Sequence, residues 1–488
     1  MRCRIPFICL TLCSLLVLGM STRALADASA KLEQAELLMN TWQYEQAEAM
    51  YRQIVADYPD TDCALEAQKE LVMLYLTWDK PTQGEAAFEE LVAGFPEHPL
   101  LPEVLYYIVE EYAWSGKHEE ATSFCQQIIQ QYPGGPYADK AQLGVPAIKV
   151  LSLIDSGEDA AAQSALDSLI SDFADHSGLP EVLYHIARRY KQSGKCEIAE
   201  SLYKDIVANY PRTDYAFQAE TRLVLWYISV ARNDEAQAAI ASLVADFSEH
   251  SELVKALYDI AKGYEQSAKY EEAETMYKDI MRRYPGTKYA SRALLDIEKC
   301  PILLVIDEGD DVAAEAAIDA LISHFSDHPD LPEVVFVIGE EYYNKAFEYE
   351  NEGFEPEARD NFTKAIAVWE RIIEEFPVNT PYTPHSYYFS AVCYRRLAQY
   401  QKAIEYYQEI VDNWANYQSA WSAQFLVADN YERLIDPDGV PDPQIVAQIK
   451  AACEQVLHKY PHCPAANAAR DWLESNIDLI DLLEGGQK

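Results

Sequence analysis

The 488-residue sequence predicts an all-α fold: a right-handed superhelical solenoid of about eleven helical hairpins with a C-terminal capping helix. Three observations predict it. Four segments repeat in register, FPEHPLLPEVLYYIVEEY from Phe95, FADHSGLPEVLYHIARRY from Phe173, FSEHSELVKALYDIAKGY from Phe247 and FSDHPDLPEVVFVIGEEY from Phe325, and self-similarity at a fixed period marks stacked supersecondary units. Weaker copies lie between them. An aromatic residue therefore recurs at Tyr58, Phe95, Tyr132, Phe173, Tyr210, Phe247, Tyr284, Phe325, Phe376, Trp414 and Tyr460, with spacings of 37, 37, 41, 37, 37, 37, 41, 51, 38 and 46. Composition agrees: 18 Gly and 24 Pro against 34 Tyr, with 49% hydrophobic residues, suit many helices joined by short turns around a core.

From the N-terminus, residues 1–26 read as a secretory signal peptide. Arg2 and Arg4 give a positive start, Ile5 to Met20 an apolar run, and Ala24-Leu25-Ala26 the small-x-small pattern that places the cut after Ala26. An uncleaved membrane anchor is the competing reading, because the run is long for a signal although Pro6, Thr11 and Ser14 interrupt it. Cys13 does not sit where a lipoprotein cysteine is cleaved, since apolar residues continue to Leu18. The expectation is a periplasmic or secreted protein with no stable membrane insertion after cleavage.

Residues 27–463 form the repeat array. In the unit ending at Pro211, Leu183, Ile186, Ala187 and Tyr190 recur at helical steps, Gly194 interrupts, and Ala199, Tyr203, Ile206 and Val207 resume the period. Pro180 falls in a first turn, where its missing N–H is harmless, and Pro211 lies past the second helix. Ala187 and Ala199 let the two helices approach to the ~8 Å end of the packing range. Four stretches are irregular, 134–173, 286–325, 343–362 and 434–445. The first two carry Pro146 and Pro301 inside a first helix, which predicts a break or bend there. They also resemble each other, LSLIDSGEDAAAQSALDSLI against LLVIDEGDDVAAEAAIDALI, so a block of four units is duplicated. The insertion at 343–362 lengthens its helix pair, and DPDGVPDP from Asp436 makes a rigid loop. Residues 464–488 supply the capping helix and tail.

The repeated residues Ala187, Tyr190, Ala199, Tyr203, Ile206 and Pro211 recur as Ala261, Tyr264, Ala273, Tyr277, Ile280 and Pro285, and as Ala391, Tyr394, Ala403, Tyr407 and Ile410 without the proline. Earlier units give Ala35, Leu38, Ala47, Tyr51, Ile54 and Pro59, then Val109, Tyr112, Ala121, Cys125, Ile128 and Pro133. At these positions the chain resembles the tetratricopeptide repeat (TPR) family, and its Tyr-Pro unit ends are similar to exported bacterial repeat proteins of outer-membrane assembly and the Tol-Pal system. The resemblance implies a non-enzymatic scaffold of the cell envelope that binds a protein or peptide in a concave groove lined by first helices. The family's peptide-carboxylate clamp of Lys and Asn is not reproduced.

Charge narrows the partners. Lys and Arg number 39 against 80 Asp and Glu, a net charge of −41, and loss of the signal's three arginines leaves −44. That field repels phosphate backbones, so nucleic acid is excluded as a partner. The chain holds no G-x-S-x-G, G-x-x-x-x-G-K-[ST], H-E-x-x-H or G-x-G-x-x-G pattern, and the repeats consume it, so no enzyme and no cofactor is expected. Beyond the signal, Cys63, Cys125, Cys196, Cys300, Cys393, Cys453 and Cys463 are scattered and read mostly as buried fillers, with Cys453 and Cys463 as one conceivable bridge. His98, His176, His250 and His328 share one repeat position just ahead of a helix; two units apart, at least ~20 Å, they cannot share a metal and read as turn residues. Asp436, Asp438 and Asp442 read as an acidic turn rather than a calcium loop. No metal site is expected.

Six residues before the core tyrosine of a first helix stand Tyr106, Tyr184, Tyr258, Phe336 and Tyr388, about 120° around the helix from that tyrosine. The resemblance places this position toward ligand; the competing reading packs the rings against the preceding unit's second helix. Cations cluster nearby: Arg188 and Lys191, Lys262, and Arg395 and Arg396. Together they make candidate partner-binding residues that dock a peptide's carboxylates, or else pair with acids one turn away. A carbohydrate polymer on the aromatic face is the alternative ligand.

Overall fold

A computed structural model describes residues 26–59, 61–376, 381–435, 442–477 and 479–480. Residues 1–25 of the expected signal peptide, and Asp436 and Asp438, lie outside the described residues. Among the described residues every regular element is a helix. The array divides between Tyr210 and Pro211 into two compact units. Unit 1 holds five hairpins: α1 (26–40) with α2 (Tyr44–Asp57), α3 (Asp62–Thr77) with α4 (Pro81–Gly94), α5 (Leu101–Trp114) with α6 (His118–Gln131), α7 (Pro136–Asp155) with α8 (Asp159–Asp172), and α9 (Leu179–Gln192) with α10 (Cys196–Asn209). Unit 2 holds six: α11 (Asp214–Ser229) with α12 (Asn233–Asp246), α13 (Leu253–Gln266) with α14 (Tyr270–Arg283), α15 (Lys288–Glu308) with α16 (Asp311–Phe325), α17 (Leu331–Glu352) with α18 (Glu355–Glu375), α19 (Tyr382–Arg396) with α20 (Tyr400–Asn413), and α21 (Ala420–Glu432) with α22 (Pro443–Lys459). A last helix, α23 (Ala466–Ser475), packs on α22.

The repeated small and aromatic residues build the interior of each hairpin. Ala187, Tyr190, Ala199, Tyr203 and Ile206 are all buried, as are Ala261, Tyr264, Ala273, Tyr277 and Ile280. The tight link inside a hairpin needs one left-handed residue. It is Gly116, Gly157, Gly194, Gly309 or Gly353 in five hairpins, and Trp42, Asp79, Ala231, Ala268 or Ala398 in five others, where a side chain bears a conformation that costs about 1–2 kcal/mol.

From α3 to α17 first helices start in two ways in turn, after Tyr-Pro or after a Phe unit; α7, after Tyr132-Pro133, has Gly135 at its cap without a side-chain bond, and the pattern does not extend to α19 and α21. After Tyr-Pro, Thr61, Thr213 and Thr287 cap α3, α11 and α15, each hydroxyl accepting from the backbone N–H three residues on. After the Phe units, the ring Nδ1 of His98, His176, His250 and His328 accepts from the N–H two residues on, at 3.0–3.3 Å. Their Nε2 atoms reach back to an acid at the start of the previous first helix, His98 to Asp62 at 3.1 Å, His176 to Asp139 at 3.1 Å and His250 to Asp214 at 3.2 Å. These histidines are turn residues. Packing follows the same alternation: at Tyr-Pro joints the second helix lies along the next first helix (α2–α3, α6–α7, α14–α15), whereas at histidine joints the first helices meet instead (α3–α5, α7–α9, α11–α13, α15–α17).

Pro146 and Pro301 do not break their helices. α7 runs 20 residues and α15 runs 21 straight through them. Each proline forfeits one backbone bond, roughly 3 kcal/mol, and the helix persists because its buried stripe, from Ala138 to Ile154 in α7 and from Ala290 to Ile306 in α15, holds it on its neighbours. The insertion at 343–362 lies within α17 and α18, of 22 and 21 residues. Gly339 stands there at the small-residue position because a Cβ would collide with Trp369, whose indole N–H donates to the Phe336 carbonyl at 3.1 Å. All seven described cysteines are unbridged; five are buried, and Cys63 and Cys196 are half-buried.

Candidate functional site

Because first helices of successive hairpins touch while second helices do not to that extent, the first helices line the inner side of each unit. In unit 1 a pocket of about 260 Å³ opens on that side between α5, α7 and α9. Helical spacing selects its walls. Tyr106, Glu110 and Trp114 form one stripe of α5; Val182, His185 and Arg188 form one of α9; Gly144, Ala147, Ile148 and Leu151 make the floor on α7. Small Gly144 and Ala147 keep the floor low, so long side chains from α5 and α9 meet above it. The Arg188 guanidinium lies 4.7 Å from the Trp114 ring centroid, and Arg189 donates to the Trp114 carbonyl at 3.1 Å.

Glu110, Glu181 and His185 converge here, their ligand atoms all within 4.8 Å of one another and each side chain half-buried. Glu110 makes no hydrogen bond or ion pair among the described residues. Burial, and then the Glu181 charge beside it, pushes its carboxyl up to about 7, against the easing effect of Lys140. Lys140 itself pairs with Glu181 at 3.5 Å. Burial and the Arg188 charge lower the His185 imidazole, which favours its neutral form. No spacing rule brought these three together, because α5 and α9 are two hairpins apart. Long side chains on the inner face nevertheless span the gap between α5 and α9.

Of the five rings offered as groove residues, Tyr106 borders this pocket, and all five are largely packed. Tyr106, Tyr184, Tyr258 and Phe336 are 7%, 3%, 3% and 5% exposed, and Tyr388 is half-buried. Tyr184 meets Tyr203 and Tyr258 meets Tyr277 on their own second helices, while Tyr106 meets Tyr137, Tyr258 meets Tyr289 and Phe336 meets Tyr382 on the next first helix. Tyr388 meets Tyr407 and hydrogen-bonds the Ser422 hydroxyl at 2.9 Å. The cations divide. Lys262 lies 3.7 Å from Glu333, Arg395 2.7 Å from Asp429 and Arg396 3.3 Å from Glu350. Lys191 is half-buried and engaged. Arg188, stacked on Trp114 and Tyr184, has no carboxylate partner among the described residues.

On the inner side of unit 2 the corresponding volume is filled. Lys299, fully buried on α15, lies 2.8 Å from both Asp296 and Glu265, and the Tyr258 hydroxyl donates to Asp296 at 2.5 Å. Its neighbouring acids hold that ammonium charged against burial. A wider cleft of about 730 Å³ lies outside, between α12 and α14 at a histidine joint. No helix among the described residues is long and apolar enough to cross a membrane.

Residues 29–61 match the tetratricopeptide repeat family model, and residues 250–438 match that of YfiO, described as outer membrane lipoprotein. No curated protein matches the sequence. Among solved structures, a tetratricopeptide repeat protein from Parabacteroides merdae is 15% identical over 58% of this chain and 98% of that one, with a TM-score of 0.30. PilW, described as a type IV pilus biogenesis factor, is 16% identical over 47% and 98%, with a TM-score of 0.25. Yeast Tom70 is 10% identical over 94% and 99%, with a TM-score of 0.30. Eleven helical hairpins built on the repeat's buried small and aromatic residues, with these family matches, make the chain an all-α TPR-like solenoid, similar in residues 250–438 to an outer membrane lipoprotein family.

Proposed function

We propose that the protein is a non-enzymatic, exported scaffold of the bacterial cell envelope that holds a protein or peptide partner on the inner face of unit 1. The observation that carries this is the pocket between α5, α7 and α9: an apolar floor with a half-buried Trp114 ring and, above it, Arg188 without an acidic partner in a chain of net charge −41. An apolar anchor beside a cation, ringed by aromatic surface, is where binding energy concentrates in peptide recognition. The N-terminal apolar run and the YfiO match support the envelope setting. A carbohydrate polymer is less suited, since sugar stacking needs exposed ring faces and the repeated rings are packed away.

A photo-crosslinking residue in place of Glu111, at the pocket wall, tests the reading in intact cells. The expected result is a discrete protein adduct that Arg188→Glu and Trp114→Ala both abolish while circular dichroism stays unchanged. An adduct indifferent to both substitutions, or binding on a glycan array instead, overturns it.

A further inference from the structure

Unit 2 contains a second copy of the block that forms this pocket, offset by 152 residues, so each position of the inner face can be read twice. Glu110 corresponds to Lys262, Glu181 to Glu333, His185 to Val337, Gly144 to Asp296 and Ala147 to Lys299. In unit 2 the site is closed from within. Lys262 lies 3.7 Å from Glu333 across α15, and the Lys299 ammonium sits between Glu265 and Asp296. In unit 1 both internal cations are gone. An acid replaces Lys262, an imidazole joins the two carboxylates, and Lys299 is lost together with both its acids, Ala113 standing for Glu265 and Gly144 for Asp296, which leaves the pocket open above Ala147.

We propose that Glu110, Glu181 and His185 bind a divalent transition-metal ion of the zinc class, which takes beside Glu181 the place that the Lys262 ammonium takes beside Glu333 in unit 2. Their donor atoms, within 4.8 Å of one another, need only side-chain rotation to reach the edge of about 3.4 Å set by metal bonds near 2.0–2.1 Å. Two carboxylates and one imidazole select zinc-class ions over magnesium and calcium, which prefer oxygen alone. Lys140 and Arg188 are the cations that face the cluster. Lys140 already pairs with Glu181, and Arg188 is drawn over Trp114. The remaining coordination position faces the pocket, open to water or a donor atom from a bound partner.

The test is calorimetric titration of the mature, chelator-treated protein with zinc at pH 7.5. One ion per chain is expected. Glu110→Gln, Glu181→Gln and His185→Ala should each weaken it by about tenfold or more, and magnesium and calcium should not compete. Glu110→Lys restores the arrangement of unit 2, so it should melt no lower than the parent and bind no zinc. No zinc uptake by the parent at 100-fold the protein concentration, or uptake that all four variants retain, overturns the proposal. Crosslinking at position 111 repeated with chelator is a separate readout: a protein adduct that persists without zinc uptake would leave the scaffold reading standing and remove the metal site alone.

Discussion

Asp155, at the end of α7, shows how single side chains tie unit 1 together. It receives Arg189 Nε from α9 at 2.5 Å and faces His118 Nε2 from α6 at 2.8 Å. Burial pushes its carboxyl up, but the bonds from Arg189 and His118 outweigh that and hold it below the ordinary carboxylate range. A carboxyl lowered on folding contributes stability above its unfolded pKa, near 4, and loses it as pH falls through the lower folded value. Asp155→Asn should therefore cost about 1–2 kcal/mol at pH 7, and the difference from the parent should vanish in melts below about pH 3. A gap that persists in strong acid would mean that packing, not charge, is responsible. At this scale the sequence told the histidines correctly, because a ring two residues ahead of a helix has an N–H within reach whatever the tertiary fold. It misplaced the tyrosine ladder. A first helix is flanked by its own second helix and by first helices before and after, so even a face about 120° from the core is covered. The strip left to the inner side is that of Glu110, Arg188, Lys262 and Glu340, each half-buried, four residues past the ladder. Arg188 and Lys262 were legible there; that Glu110 stands in the same register was the available signal for the site.

Helices behaved according to burial more than propensity. Tyr184, wedged among α9, α10 and the inner face, is the ring whose placement decides between groove and core. At 3% exposed it contacts Tyr203 at 5.9 Å between centroids, so Tyr184→Ala should destabilise unit 1 by about 3–5 kcal/mol, in the range for removing a buried aromatic. It should melt about as low as Tyr190→Ala; a parent-like melt would return the ring to the surface. Hairpin existence and length were readable because the period is strict and punctuated. The continuity of α7 and α15 was not, since the proline rule describes an isolated helix, whereas these carry Leu143, Ile148 and Leu151, or Leu295, Ile302 and Leu303, into the interior on both sides of the ring. The buried Asp296 and Lys299 were also missed, although their spacing places them with Leu303 on one helical stripe.

For the molecule as a whole, charge is the dominant property not absorbed by packing. With 80 acids to 39 cations, the folded chain concentrates like charges that the unfolded chain spreads apart. Raising ionic strength from 0.01 to 0.15 M shortens the screening length from about 30 to 8 Å. The melting temperature should rise by a few degrees, at about 2–4 °C per kcal/mol recovered. A salt-independent melt would indicate that the acids are already neutralised by bound cations. Mass spectrometry of the protein recovered from a bacterial envelope fraction checks the proposed export: an N-terminus at Asp27 is expected, and a lipid on Cys13 would replace it.

From α3 to α17 the alternation of Tyr-Pro and histidine starts gives the chain a grammar with two letters. A histidine hairpin reaches back to the acid of a Tyr-Pro neighbour, and ahead of His328, where Lys288 and Ser291 stand at the positions of Asp62 and Asp139, no such ion pair forms among the described residues. Lengthening or shortening the chain by one hairpin would set two like letters side by side and leave an imidazole facing no acid, while adding or removing two preserves every junction. The protein is thus spelled in couplets, and its evolution, like any attempt to redesign its length, is constrained to count in twos.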